Sequence, residues 1–260
     1  MGYTNLLMNY ERLYDLDAEH ITAGYYRVPY DSKKGHRQLN PAFASFKAKE
    51  FFAEAKENIS RRRREGRKEL PFVSGMYPEY YMNNYHFQSD GWLSSRSASA
   101  YEFSTETLFS GSQDAMQRQI FVPIHFWKKT YNKPVEEMKV LEVAGGTGRL
   151  MTFFRDNYPE MDATFLELSP FYLEQAGKND RYYRKWFKKY DKRGKDMELK
   201  PLNLVQSKAE DMKEFEENSF DILNCVYLFH EIPEDIRREC AKEFFRVLKP
   251  GGIIAFNDSI

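Results

Sequence analysis

Val140-Leu-Glu-Val-Ala-Gly-Gly-Thr-Gly-Arg-Leu150 joins a short apolar run to a glycine-rich turn and then to a helical pattern. The stretch reads as a strand, a loop of nucleoside or phosphate size, and the start of a helix. Glycine suits such a turn because the chain must bend tightly, adopt positive φ and let a ligand lie on bare backbone that a Cβ would obstruct. Amides opening the helix after Gly148 point at whatever is bound there. A tight turn without a ligand uses the same residues, so the choice between the two falls to the chain downstream of Leu150.

From Lys139 onward strands and helices alternate. The pattern predicts strands at 140–143, 163–168, 202–206, 219–227 and 253–256. It predicts helices over 148–157, from Ser169-Pro170 through Ala176, and over 234–248, with Lys249-Pro-Gly-Gly252 as a turn. Such alternation implies parallel strands, right-handed crossovers and helices on both faces. Glu167 stands at the end of the second strand, 19 residues after Gly148. A carboxylate placed there can accept hydrogen bonds from both neighbouring hydroxyls of a ribose.

The remaining chemistry is bounded by composition. The chain has 260 residues, with 39 basic side chains against 39 acidic ones, so no global charge attracts nucleic acid. Cys225 and Cys240 show neither metal-ligand spacing nor a disulfide framework, which favours a reducing, cytoplasmic setting. The first ten residues lack a signal-peptide pattern and no apolar run reaches membrane-spanning length. A soluble protein is expected.

Before Val140 the chain is rich in aromatic residues. Asn40-Pro41 is a helix start, with Phe43, Phe46, Phe51, Ala55 and Ile59 at helical spacing behind it. The arginines of Ser60-Arg-Arg-Arg-Arg-Glu-Gly66 suit a solvated helix end, stabilised by the helix dipole, or an anion contact. Between Tyr77 and Trp92, aromatic rings alternate with polar groups. Tyr81, Tyr85, His86 and Asp90 could line a pocket there, or the segment could be an aromatic loop over the core. Helices are expected over 97–109 and 113–131.

Six stretches in order resemble class I S-adenosylmethionine (SAM)-dependent methyltransferases. These are Leu141-Glu-Val-Ala-Gly-Gly-Thr-Gly148, Leu166-Glu-Leu-Ser-Pro170, Ala209-Glu-Asp211, Ser219-Phe-Asp-Ile222, Tyr227-Leu-Phe-His-Glu-Ile-Pro233 and Phe245-Arg-Val-Leu-Lys-Pro-Gly-Gly252. The similarity is greatest to the small-molecule branch. It implies a Rossmann-like, doubly wound, mostly parallel sheet over 135–260 and a mainly helical cap and lid over 1–134. The implied cofactor is SAM and the implied partner is a small-molecule methyl acceptor.

Carried over residue by residue, the resemblance places Ala144, Gly145, Gly146 and Gly148 beside the methionine part of SAM, with Glu142 holding its amino group. Glu167, with Leu168 beside it, would bind the ribose. Ala209 and Glu210 would read the adenine. Asn224 and the residues up to Leu228 would face the methyl group. Alternatives stay open: Glu142 could cap the loop, Asp221 could serve only the strand start, and His230 could only stabilise the turn before Pro233.

Three departures matter. Ala144 replaces the first glycine of the loop, which is tolerable if φ there is negative. Lys208 stands where the family often has aspartate, shifting adenine recognition toward Glu210, Asp211 or backbone. The sequence ends after the fifth strand, where the family adds an antiparallel hairpin, so a shortened chain or an edge covered in another way is expected.

An insertion before the third strand predicts an amphipathic helix. Tyr182, Tyr183, Trp186, Phe187 and Tyr190 form one side, and Arg181, Arg184, Lys185, Lys188, Lys189 and Lys192 fill the rest. Residues 181–192 could touch an anionic membrane surface or contact RNA, or the aromatic side could pack on the chain's own cap.

Methyl transfer asks an enzyme to align nucleophile, methyl and sulfur and to exclude water. A general base is needed only for a protonated nucleophile. His86 and His230 are the candidate bases, with Tyr81, Tyr85 and Tyr227 orienting the acceptor. A methyltransferase-like binding or scaffold protein without activity is the alternative.

Overall fold

The computed structural model describes residues 3–63, 74–83, 88 and 90–259. Among these, the helices α1 (Tyr3–Thr22), α2 (Pro41–Arg63), α3 (Ser95–Leu108), α4 (Gln113–Arg118) and α5 (Phe121–Tyr131) precede the sheet. Then come β1 (Lys139–Val143), α6 (Arg149–Asn157), β2 (Asp162–Leu166), α7 (Pro170–Tyr190), β3 (Asn203–Val205), β4 (Phe220–Val226), α8 (Glu234–Val247) and β5 (Leu248–Asn257). The strands lie in the order β3-β2-β1-β4-β5 and every pairing is parallel, where a mostly parallel sheet was expected.

Both faces are covered, and alternate residues of each central strand serve opposite faces. Val140 and Ile222 pack with Phe121, Phe154, Met151 and Trp186 from α5, α6 and α7. Their neighbours Leu141 and Leu223 pack with Cys240, Phe244 and Val247 of α8. Tyr26 and Tyr30 belong to the first cluster, so one apolar core is continuous across the sequence boundary at 134/135.

Four expectations about elements change. The aromatic residues 182–190 form no separate helix but extend the crossover helix α7, which is 21 residues long. Tyr183, Trp186 and Phe187 are buried, and Tyr30 meets Tyr183 and Trp186 at ring distances of 4.7 and 5.2 Å. The middle of the stripe that could have met a membrane lies within the chain's own core, with Tyr182 partly buried and Tyr190 exposed. No helix of the described residues is long and apolar enough to cross a membrane.

The expected helix over 113–131 breaks at Gln119-Ile120. A continuous helix would hold Pro123 in its interior, where it removes a hydrogen bond and clashes with the preceding turn. The break moves Pro123 into the first turn of α5.

On α2, Phe46 and Ile59 are more than half exposed, whereas Glu54 and Asn58 are each 2% exposed. The reason lies in α3, whose Arg96 donates to Glu54 Oε2 at 3.0 and 2.6 Å, so α2 seats a polar face. The side chains of the four-arginine run lie outside the described residues.

Finally, the Lys249-Pro-Gly-Gly252 turn lies inside β5 as a register shift against β4, with Gly251 at φ +80°.

Candidate active site

The C-terminal ends of β1, β2 and β4 and the helices α2, α3 and α4 enclose a cavity of about 400 Å³. Sites at the carboxyl ends of strands, where the sheet order reverses, are favoured in open α/β sheets because the loops diverge there. Here β1 is the central strand, and the loop after it runs from Ala144 to Gly148.

The loop is held tightly from below. A Cβ at Gly145 would meet the ring of Phe165 and lie 2.9 Å from Glu142 Cδ. Gly146 and Gly148 take φ of +61° and +76°. Ala144 does so too, at +52°, against the expectation of negative φ. The chain reverses direction immediately after β1, and a left-handed residue there starts the reversal. Gly148 does not line the cavity; its missing Cβ lets α6 approach Ala176 of α7, which would lie 3.1 Å away.

Glu167 ties β2 to this loop. Its Oε2 accepts from Gly146 N and its Oε1 from Ser169 N, each at 2.9 Å. Burial raises its carboxyl to about 7, against the pull of the amides of Ser169, Gly146 and Leu168. Glu142 is 2% exposed, and its Oε2 is buried without a hydrogen-bond partner. Burial, and then the charge of Glu167, push its carboxyl well above the ordinary range. Asn224 is the register partner of Glu142 on β4 and is also buried without side-chain partners, but it does not line the cavity.

Leu168, Ala209 and Glu210 do line it, and Glu210 Oε1 accepts from Tyr80 Oη at 2.7 Å. Lys208 turns away to Asp211, with Nζ 3.8 Å from its carboxylate. Asp221 serves the strand start, accepting from Lys133 and Lys249 Nζ at 2.8 and 2.9 Å and from Lys139 N at 3.0 Å. Burial works against that charge, but these donors outweigh it and hold Asp221 below the usual carboxylate range.

Of the residues expected to handle the acceptor, Tyr81 and Tyr227 line the cavity. Burial, then the neighbouring Glu167, raise the Tyr81 phenol well above its ordinary value. Tyr227 sits at φ +59°, and burial raises its phenol to about 12. His230 is not part of the lining: its Nδ1 lies 2.5 Å from Asp258 Oδ1 and its Nε2 3.2 Å from Glu231 Oε1. The ring stands edge-on to Tyr227, with ring centres 6.3 Å apart, but does not reach the cavity itself. Tyr85 and His86 lie outside the described residues.

The cap contributes groups that the sequence alone did not single out. They include Tyr80, Tyr101, Glu106, Asp114, Gln113 and Gln117, all lining the cavity, as does Arg149 at the start of α6. A signal existed, since Glu102/Glu106 on α3 and Gln113/Gln117 on α4 are polar pairs at i, i+4, each on one helical face. Arg149 is buried between Asp31 and Asp114, ion-paired with both. Burial opposes its charge, but these two carboxylates hold it firmly protonated.

The cavity is floored by the glycine loop and lies at the reversal point of a doubly wound parallel sheet, the place where open α/β sheets bind their ligands. Residues 141–256 match the family model described as a methyltransferase domain. No curated protein matches the chain. Among solved structures it is similar to the CurJ carbon methyltransferase, at 17% identity over 59% of this chain and 38% of that one, with a TM-score of 0.45. It is also similar to DhpI in its complex with SAM and HEP (17% identity, 61% and 59% covered, TM-score 0.40). A third is a SAM-dependent methyltransferase from Aquifex aeolicus (18% identity, 48% and 58% covered, TM-score 0.35). The chain spans less than two thirds of the length of each of these structures.

Proposed function

We propose that the chain transfers the methyl group of SAM to a small-molecule acceptor. The observation that carries this reading is the orphaned, buried Oε2 of Glu142 at the wall of a cavity that is also lined by the glycine loop, Glu167 and Glu210. A buried acceptor without a partner is costly, and a ligand ammonium would supply the missing donor. The cavity volume, about 400 Å³, falls in the range of roughly 300–1,000 Å³ found for small-molecule sites.

The residues present fit SAM group by group. Glu142 would take its ammonium, the Gly145-Gly146 backbone would lie along its methionine part, and Glu167 would accept from the ribose hydroxyls. Each Glu167 oxygen already accepts one amide hydrogen bond and keeps a lone pair for that purpose. Glu210, held by Tyr80, and Ala209 would meet the adenine. When bound, SAM supplies a methyl carbon activated by a positive sulfur. The chain's own task is to align the acceptor with that carbon and to keep water out, and Tyr80, Tyr81, Tyr101 and Tyr227 provide the walls. With His230 turned to Asp258, proton handling falls to other groups in the cavity.

Calorimetric titration with SAM tests the reading: a folded sample that binds no SAM overturns it. A screen with labelled SAM over amines, phenols, thiols and carboxylates then reads transfer. Binding without transfer would assign the chain to SAM-binding scaffolds.

A further inference from the structure

The cavity has a second polar end that the proposed cofactor contacts do not use. Glu106 of α3 has one carboxyl oxygen, Oε1, accepting from Asp114 N at 3.0 Å, while Oε2 is buried and receives no donor, the carboxyl group lying against that of Asp114. Gln113 and Gln117, one turn apart on α4, are 5% and 8% exposed, and their Oε1 atoms are buried without partners. All three line the cavity. Phe109, which caps α3, stacks on Tyr227 with ring centres 5.9 Å apart and planes at 14°. That contact sets this end of the cap over the end of β4.

The cations in the cavity wall are already engaged. Arg149 pairs with Asp31 and Asp114, Lys47 bonds Glu50 and Ser99, and Arg37 donates to Asn179. Glu106 and Glu142, by contrast, make no ion pair with another described residue. Among the described residues an anionic acceptor would therefore find no uncommitted cation, whereas a cation would find a carboxyl group flanked by amide oxygens and aromatic rings.

We propose that this end is the acceptor subsite and that it takes an amine in its ammonium form. In this arrangement Glu106 is counter-ion and proton acceptor, and Gln113 and Gln117 accept further hydrogen bonds. The inference rests on SAM being the methyl donor. An ammonium proton passes to the Glu106 carboxylate, which frees the nitrogen lone pair. The nitrogen then bonds to the donated methyl carbon as that carbon's bond to sulfur breaks, the electron pair staying on sulfur. The product is an N-methylated ammonium, and the proton on Glu106 returns to solvent.

The groups facing Glu106 are Tyr14 of α1, Asp114 of α4, Arg149 of α6 and Tyr227 beyond β4. Burial, then Asp114, raise its carboxyl to about 8. In the ligand-free chain the carboxyl therefore keeps its proton below about pH 8; an ammonium beside it favours the carboxylate form, which accepts an ammonium proton far more readily than an ordinary carboxylate does.

The test needs no cofactor. The whole chain is titrated calorimetrically with benzylammonium, benzyl alcohol and benzoate. Benzylammonium should bind at least tenfold more tightly than either. Glu106→Gln should abolish that preference and Glu106→Asp should keep part of it, with circular dichroism confirming that both variants are folded. Equal binding of benzyl alcohol, or an unchanged preference in folded Glu106→Gln, overturns the proposal. If neither variant folds, the preference of the natural chain among the three probes decides alone. With labelled SAM, Glu106→Gln should lower amine methylation about 100-fold or more at unchanged SAM affinity. Label entering phenols or thiols but not amines also overturns it. Ammonium selectivity without SAM binding would leave this subsite standing and remove the methyl-donor reading instead.

Discussion

Tyr80 Oη donates to Glu210 Oε1 at 2.7 Å, a single hydrogen bond that joins the N-terminal cap to the loop after β3. It orients the carboxylate proposed to read adenine, so its loss should loosen the site without unfolding the protein. Tyr80→Phe should weaken SAM binding about two- to tenfold, corresponding to the roughly 0.5–1.5 kcal/mol of one net hydrogen bond. Calorimetry checks this, and unchanged affinity would detach Tyr80 from the cofactor site.

The glycine loop supplies a matched pair of substitutions. Ala144 at φ +52° carries a left-handed penalty of about 1–2 kcal/mol, which glycine removes at an unfolded-state cost of about 0.4–1 kcal/mol. Ala144→Gly should therefore stabilise slightly, by up to about 1 kcal/mol. Gly145→Ala should do the reverse, since its Cβ would collide with Phe165 and crowd Glu142; the expected cost is about 1–3 kcal/mol. Urea melts of both variants measure the contrast.

Glu167 makes the stability of the ligand-free protein pH-dependent. Its folded-state carboxyl is raised to about 7, from an ordinary value of 4.5. Between those values the folded state holds the proton that the unfolded state has lost. The contribution is thus complete below about pH 4.5 and disappears as pH rises through about 7, with an upper magnitude of roughly 3 kcal/mol. Glu167→Gln should flatten this part of the profile. Denaturant melts at pH 5 and pH 7.5 check the sign, and a wild-type protein that gains stability over this window relative to the variant would contradict it.

The buried stripe of α7 is a matter of packing. Trp186 is 3% exposed and packs on Tyr30. Trp186→Ala should destabilise by about 3–5 kcal/mol, as large-to-small changes do in a close-packed core. A thermal melt reads this loss. Sedimentation with anionic vesicles should show no dependence on Trp186, because its ring does not reach the surface.

Much of the sheet is legible in residue order alone. The run at 140–143, the acid at 167 and the helix at 234–248 place β1, the end of β2 and α8 within a residue or two, because apolar period and glycine turns are local properties. Residue order says less where burial is polar. Glu54 and Asn58 of α2, and Gln113 and Gln117 of α4, are buried although their residue types usually mark a surface. Their partners, or the cavity they face, come from segments distant in sequence. His230 shows the same limit in reverse. Its neighbours in sequence place it beside Tyr227, and its ring does meet Tyr227 edge-on, yet its Nδ1 is engaged by Asp258, 28 residues on, and it does not line the cavity.

The sequence by itself determined the alternating α/β architecture, the glycine loop and the acid at 167, because each arises from local backbone demands and strand order, and the family resemblance added the acids at 142 and 210. Only the tertiary structure decided that α7 spends its aromatic face on Tyr30, that Ala144 is left-handed, and that Glu106, Gln113 and Gln117 meet Tyr227 across one cavity. Those outcomes depend on how α3 and α4 settle over the ends of β1 and β4. That packing is a non-local balance of burial against hydrogen bonding, which no single stretch of the chain contains.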